Sequence, residues 1–386
     1  VLCDRRRLPV RTGEGKLTDS LMIVAGEVSG DIHAGNMLAE IRILDPDLDA
    51  FGIGGERLAA NGLDCFASTD ELAHMGLIEV LRELPRIRRV MQRLVDEADR
   101  RRPRLAVLVD SPDFNLRLAA RLRRLGIPVV LYVSPQLWAW RRGRVRVVRR
   151  LAREVLCLLP FEVPFYSEHG VRARYVGHPL VDDVAREGLL NHQVSRVAGK
   201  VALLPGSRAM EVRQLLPTMI QAVRVLGIER RAEAVLIEAP GVGEVMDEVF
   251  EKHGGGEQIR RVCGSGRRRE LASCAFAWTA SGTATLECAL LDVPMVVGYR
   301  LQPLSFAVAR LLVRIPHVAL VNLIAKERAA PELIQNNWRV DRLVEVSHQL
   351  LDGGADEQRP ALARVRQRMG SPGASRRAAE AVLEYL

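Results

Sequence analysis

The sequence predicts an α/β protein of two Rossmann-like domains whose parallel sheets face an interdomain cleft. Three observations carry that expectation. Short apolar runs alternate with segments of helical period, the alternation restarts half-way along, and 386 residues exceed one ordinary core. A strand covered by helices on both faces reads as an unbroken apolar run, as these do.

The elements follow in order. Residues 1–20 hold arginines but no apolar h-region, so they read as a flexible leader rather than a secretory signal. LMIVA (21–25) is the first strand, and AGEVSGDIHAG (25–35) is the glycine-bearing corner after it. Leu84, Ile87, Met91, Leu94 and Ala98 step by three and four, the stripe of an amphipathic helix. LAVLV (105–109), VVLYV (129–133) and EVLCLL (154–159) continue the first sheet. The stretch 177–200 has turn residues and no sheet-like run, which sets the domains at 21–185 and 186–370. VALLPG (201–206), AVLIEAPG (234–241), CAFAWTASG (274–282) and PMVVGY (294–299) are the expected strands of the second sheet. Residues 371–386 read as a C-terminal helix, with the N-terminal domain as its expected seat.

Composition narrows the function classes. A net charge of +9, rich in arginine, suits an anionic partner: nucleic acid, phosphorylated substrate or acidic lipid. Only 4% of residues are aromatic, which argues against broad base-stacking surfaces. The six cysteines are scattered without a Cys-x-x-Cys pair, so they read as free thiols of a reducing compartment. No run reaches the ~18 apolar residues of a membrane span, so any membrane attachment is peripheral.

Chemistry is expected in the loops that follow strands. In the opening corner Gly30 and Gly35 have P-loop spacing, but Asn36-Met37 stands where Lys-Ser/Thr is required. Ser29 or Asp31 there reads equally as a helix N-cap. Asp110, at the end of an apolar strand in DSPDFN (110–115), is a candidate general base, with Asp113 as a possible cap. YVSPQLWAWRR (132–142) leads into seven arginines within residues 141–153, a phosphate or lipid-surface patch or a solvated helix face. Trp138 and Trp140 favour an interface. LPGSR (204–208) offers Gly206, Ser207 and Arg208 to a phosphate. In ASGTATLEC (280–288), Ser281, Gly282 and Thr283 open a helix whose positive end suits a diphosphate. Glu287, one turn further, can accept from ribose hydroxyls.

Together AGEVSGDIHAG, MGLIEVL (75–81), DSPDFN, SPQLWAW, LPFE (159–162), GHP (177–179), LPGSR and ASGTATLEC through PMVVGYR (280–300) resemble the lipid-A-disaccharide synthase family. The match runs in order from about residue 21 onward. The resemblance implies an inverting glycosyltransferase of GT-B type, with no cofactor and no metal. It would move 2,3-diacylglucosamine from its UDP conjugate to the 6-hydroxyl of 2,3-diacylglucosamine 1-phosphate. The products would be the β-1,6 disaccharide 1-phosphate and UDP.

By the same resemblance Asp110 is the catalytic carboxylate, while Arg208, Glu287 and Asn322 lie on the donor side. Ser29, Gly30 and Asp31 face the cleft on the acceptor side. Met75, Leu77, Ile78, Val80 and Leu81 are candidates to meet acyl chains or membrane, joined by Arg141, Arg142 and Arg144. The sequence reads Val-Asn-Leu at 321–323, where relatives commonly read Pro-Asn-Leu, and Lys326 where they carry glycine. The implied location is the cytoplasmic face of the inner membrane, with no nucleic-acid partner and a homodimer as an open arrangement. Two other readings stand beside it: another UDP-N-acetylglucosamine enzyme of this fold, either transferase or 2-epimerase, and a non-enzymatic peripheral lipid binder.

Overall fold

β-Branched apolar runs become the strands, and the helix-period segments between them become the helices that cross from one parallel strand to the next. The computed structural model describes residues 20–68, 80–140, 142–190, 194–230, 233–302, 306, 310, 313 and 315–386. The first sheet contains β1 (Ser20–Ala25), β2 (Asp49–Gly54), β3 (Asp64–Ser68), β4 (Leu105–Val109), β5 (Val129–Tyr132), β6 (Glu154–Cys157) and β7 (Ala173–Tyr175). Its order is β3-β2-β1-β4-β5-β6-β7. The second contains β8 (Val197–Leu204), β9 (Glu233–Ile237), β10 (Ile259–Val262), β11 (Cys274–Ala280), β12 (Met295–Tyr299) and β13 (Glu332–Ile334). Its order is β10-β9-β8-β11-β12-β13. All neighbouring strands are parallel.

The helices over the first sheet are α1 (Val28–Leu44), α2 (Glu56–Ala60), α3 (Val80–Arg101), α4 (Pro112–Arg124), α5 (Val145–Leu151), α6 (Glu162–Glu168) and α7 (Pro179–Arg186). The second half adds α8 (Ala209–Arg230), α9 (Gly243–His253), α10 (Arg267–Ala272), α11 (Thr283–Leu290), α12 (Leu320–Ala325), α13 (Val340–Gln349), α14 (Ala355–Met369) and α15 (Ala374–Leu383). On α3 the expected stripe is inward: Met91, Leu94 and Ala98 are buried.

One face of β1 and β4 packs Met22, Val24, Ala106 and Leu108 against α3 and α4. The opposite face packs Leu21, Ile23 and Leu105 against α1 and, from far along the chain, against Ala378, Ala379, Ala381 and Val382 of α15. Helix α15 is fixed there by polar contacts. Arg174 grips Glu384 with two hydrogen bonds of 2.5 and 2.7 Å, and Arg377 Nε donates to the Val176 carbonyl at 2.8 Å. A third cluster joins the halves: Trp138, Leu159 and α7 residues Leu180, Val181 and Val184 share it with Leu286 and Cys288.

Two sequence expectations change here. Trp138 is 8% exposed and its indole N–H donates to Glu162 Oε1 at 3.1 Å, so it is a core residue rather than an interface anchor. Trp140, at 38% exposure, stays at the surface. The arginine run is a helix face. Val145, Val148 and Leu151 of α5 turn inward, and Arg144 pairs with Asp113, which is exposed and does not cap α4. Arg142 lies in the short turn before α5. Arg141 and residues 69–79, including Met75, Leu77 and Ile78, lie outside the described residues, as do the side chains of Val80 and Leu81. Residues 1–19 of the expected leader lie outside them as well.

Candidate active site at two switch points

Strand order reverses beside β1 in the first sheet and beside β8 in the second. Open α/β sheets hold their ligands beyond the carboxyl ends of strands at such points. In the first sheet the loops after β1 and β4 meet there. Asp110 follows β4 with φ 57°, and Ser111 follows with φ 38°, two successive residues in left-handed backbone. Strain of that kind costs about 1–3 kcal/mol per residue and persists only where surroundings impose it. Here Asn115, 1% exposed, donates its amide to the carbonyls of Val109 (3.0 Å) and Asp110 (2.7 Å). The Asp110 N–H donates to the Tyr132 carbonyl at 3.2 Å.

The Asp110 carboxylate is held from two sides. Ser29 Oγ, in the first turn of α1, donates to Oδ2 at 3.2 Å, and the Ser111 N–H donates to Oδ1 at 3.0 Å. Gly26 and Gly30 allow the approach. A Cβ on Gly26 would collide with the Ser111 side chain, and one on Gly30 would sit 3.3 Å from Asp110 Cβ. The glycines of AGEVSGDIHAG therefore serve close packing of two loops. Asp31 has a different place from the one expected. Glu27 occupies the cap position of α1, and the buried Asp31 carboxylate accepts from the amides of Gly55 (2.7 Å), Arg57 (2.9 Å) and Leu58 (3.1 Å). It caps α2 and is unavailable to an acceptor sugar.

Beneath Asp110 lie residues of AGEVSGDIHAG, YVSPQLWAW and GHP to which the sequence pattern assigned no role. The rings of His33 and His178 stand edge-to-face at 6.3 Å, and the His33 and Tyr132 rings at 6.5 Å. Burial pulls the His33 imidazole below its ordinary range against the pull of Asp110 and Asp183. Burial and then His33 take His178 down to about 3. Both rings are neutral near neutral pH, so His178 Nδ1 accepts the Leu180 N–H at 3.1 Å and caps α7. Glu27 faces the second half: burial and Asp110 raise its carboxyl, and Arg208 lowers it. The motifs contain these residues but not their grouping, because their neighbours come from distant chain segments.

In the second sheet Gly206, with φ 117°, turns the chain after β8. A Cβ there would lie 2.6 Å from Glu211 Cβ. Glu211 accepts from the Ser207 N–H at 3.1 Å and from Arg208 Nη1 at 3.2 Å, while Arg208 stays 79% exposed. After β11, Ser281 Oγ donates to the Val318 carbonyl at 2.9 Å, and the Gly282 carbonyl accepts from Thr285 Oγ1 at 2.7 Å. Thr283 begins α11 and leaves its first amides directed along the helix axis.

Two donor-side assignments are revised by geometry. Glu287 is 5% exposed, and its carboxylate is already held by Arg267 Nη2 (3.0 Å) and Arg268 Nε (2.7 Å). Arg268 also pairs with Glu187 and lies 3.6 Å from Asp183, both at the end of α7. Asn322 is fully buried. Its amide donates to the Ala330 carbonyl and to Glu332 Oε1, both at 2.9 Å, and its oxygen accepts the Ala330 N–H. Glu332 in turn accepts from the amides of Val318 and Ala319. Asn322 thus supports the loop that holds Ser281, with its side-chain amide engaged inside the protein. Among the described residues no three His, Cys, Asp or Glu side chains gather as a metal-ligand set.

The family model described as Lipid-A-disaccharide synthetase matches residues 21–384. The chain belongs to the lipid-A-disaccharide synthetase family. A relative from Anaeromyxobacter sp. (strain K), named lipid-A-disaccharide synthase, is 46% identical over 378 residues, covering 95% of this chain and 98% of the relative. Solved structures similar to this family member are more distant in sequence. Methanocaldococcus jannaschii UDP-GlcNAc 2-epimerase, in complex with UDP-GlcNAc and UDP, gives a TM-score of 0.62 at 11% identity, over 95% of this chain and 99% of that one. Acinetobacter baumannii MurG gives 0.57 at 11% identity, over 95% and 99%. These likenesses establish the GT-B fold that the paired sheets describe.

Proposed function

We propose that this chain joins two acylated glucosamine units, with UDP-2,3-diacylglucosamine as donor and 2,3-diacylglucosamine 1-phosphate as acceptor. Family membership makes it a hexosyltransferase of lipid A disaccharide synthesis. The observation that carries the mechanism is the strained Asp110, fixed by Ser29 and Ser111 at one switch point, with Arg208 acting across to Glu27 from the other.

In that mechanism the acceptor 6-hydroxyl attacks the anomeric carbon from the face opposite UDP. The new C–O bond forms as the bond to the diphosphate breaks, which inverts the centre. The hydroxyl proton passes to Asp110, and the electron pair leaves with UDP. Arg208, the Ser207 region and the α11 N-terminus meet the departing charge, since preorganised donors act most strongly where charge develops. Glu287 stays with Arg267 and Arg268 until a ribose replaces one of those contacts. Peripheral attachment to an anionic leaflet, with Arg142 and Arg144 among its cations, belongs to the same proposal.

The test is Asp110→Asn, assayed with both acylated monosaccharides for UDP release and disaccharide. Disaccharide formation should fall by about 10²–10⁴-fold while UDP still binds. Retained turnover removes Asp110 from the role. Turnover of unacylated UDP-N-acetylglucosamine without acylated substrate would favour the epimerase-like reading instead.

A further inference from the structure

We infer that the hollow beside α1 is the seat of one fatty acyl chain of the acceptor, an assignment that rests on the function proposed above. The hollow is open and measures about 1000 Å³. Val28 and Ile32 of α1, Ala59 and Ala60 of α2, and Cys65 and Phe66 of β3 form its walls. This is the upper end of the ~300–1,000 Å³ common for small-molecule pockets.

Position and composition name the occupant. Val28 and Ile32 stand four apart on one face of α1, at 64% and 47% exposure, where large apolar side chains ordinarily face a core. Ser29, between them in sequence, donates to Asp110. A sugar whose 6-hydroxyl reaches Asp110 therefore has an apolar wall one residue away. Asp31, Glu56, Arg57 and Ser68 also line it, but the amides of Gly55, Arg57 and Leu58 are closed by Asp31, and Arg57 Nε donates to Asn36. The surface left there has few hydrogen bonds to offer a sugar and apolar area to offer a hydrocarbon. The hollow is built from the half that carries Asp110, whereas Arg208 and α11 belong to the other half, which matches the acceptor rather than the UDP-linked donor.

Cys65 supplies a readout independent of turnover. It is exposed in the wall of the hollow, while Cys263, also exposed, lies beyond β10 in the other half. Alkylation of each thiol is followed by peptide mapping with diacylglucosamine 1-phosphate, its deacylated form, or the UDP-linked donor present. At ten times its dissociation constant the acylated acceptor should slow Cys65 alkylation about tenfold and leave Cys263 unchanged. No protection, or equal protection by the deacylated compound or by the donor alone, overturns the assignment. Protection without any disaccharide formed would sustain the hollow and sink the proposed reaction.

A second arm narrows the hollow from either wall with Ile32→Trp and Ala60→Leu, both at exposed positions that leave the core intact. The ratio of kcat/KM for a long-chain over a short-chain acceptor should fall about tenfold in each. An unchanged ratio, or equal losses on both acceptors, overturns it.

Discussion

Asn322 illustrates how a residue can matter to a site that it never touches. Its three hydrogen bonds fix the turn at Ala330 and orient Glu332, which closes the amides of Val318 and Ala319 beside Ser281. Asn322→Ala leaves the Ala330 N–H and C=O buried without partners, at about 1–3 kcal/mol per group. The urea midpoint should therefore drop by the equivalent of about 2–6 kcal/mol. A stability unchanged within error would return Asn322 to a direct donor contact. The departures from the family pattern sit in the same turn. Lys326 takes φ 58°, so the left-handed C-cap that a glycine would adopt is kept with a lysine in place. Sequence pattern placed Asp110 and the glycine turns in the loops where they stand, while Ser29 lies inside the first turn of α1. Pattern alone did not reveal that the oxygens and amides of Asp31, Glu287 and Asn322 are engaged by residues from elsewhere in the chain.

Among elements, α6 and α7 start beside buried groups whose titration is shifted in opposite directions. Glu162, buried at the start of α6, accepts from Trp138 Nε1 and from the Leu159 N–H, and burial raises its carboxyl to about 7. The folded protein then binds more protons than the unfolded chain between pH 4.5 and about 7, so this group lowers stability as pH rises through that window. His178 acts with opposite sign. Its folded value of about 3 lies below the ordinary 6.5, so its contribution is present above pH 6.5 and lost as pH falls toward 3. Comparing Glu162→Gln with the parent separates the two. The variant's stability relative to the parent should climb with pH between about 4.5 and 7 and level off above, read from urea midpoints. A flat difference would mean that Glu162 does not titrate there. The lost acceptor for Leu159 adds only a constant offset.

Helix α7 also ties three regions together. His178 begins it under Asp110, Asp182 accepts the Gly373 and Ala374 amides ahead of α15, and Asp183 and Glu187 engage Arg268 beside Glu287. The sequence reading took this helix as part of the interdomain stretch 177–200, and its attachments were hidden because each partner lies far away in sequence. Strands were more legible. Unbroken apolar runs gave β1, β4, β5, β6, β8, β9, β11 and β12. The edge and near-edge strands β2, β3, β7, β10 and β13 were missed because they are short, with exposed or charged residues, or glycines as in DAFGIG.

At the scale of the whole molecule, the fold is two sheets joined by a shared core and closed by a returning helix. Removing residues 371–386 would strip Ala378, Ala379, Ala381 and Val382 from Leu21, Ile23 and Leu105 and leave Arg174 without Glu384. Loss of that apolar burial should cost at least about 3 kcal/mol, visible as a lower urea midpoint or as insoluble protein. A truncated chain as stable as the parent would show that α15 is dispensable to the first sheet. The same docking orders the protein's biogenesis. A ribosome delivers β1 first and α15 only after both sheets have emerged, so one face of the first sheet stays bare throughout synthesis. Nascent chains then carry an exposed greasy surface for most of their time on the ribosome, when chaperone capture and misassembly compete with folding. The half that is made first is the half that is finished last.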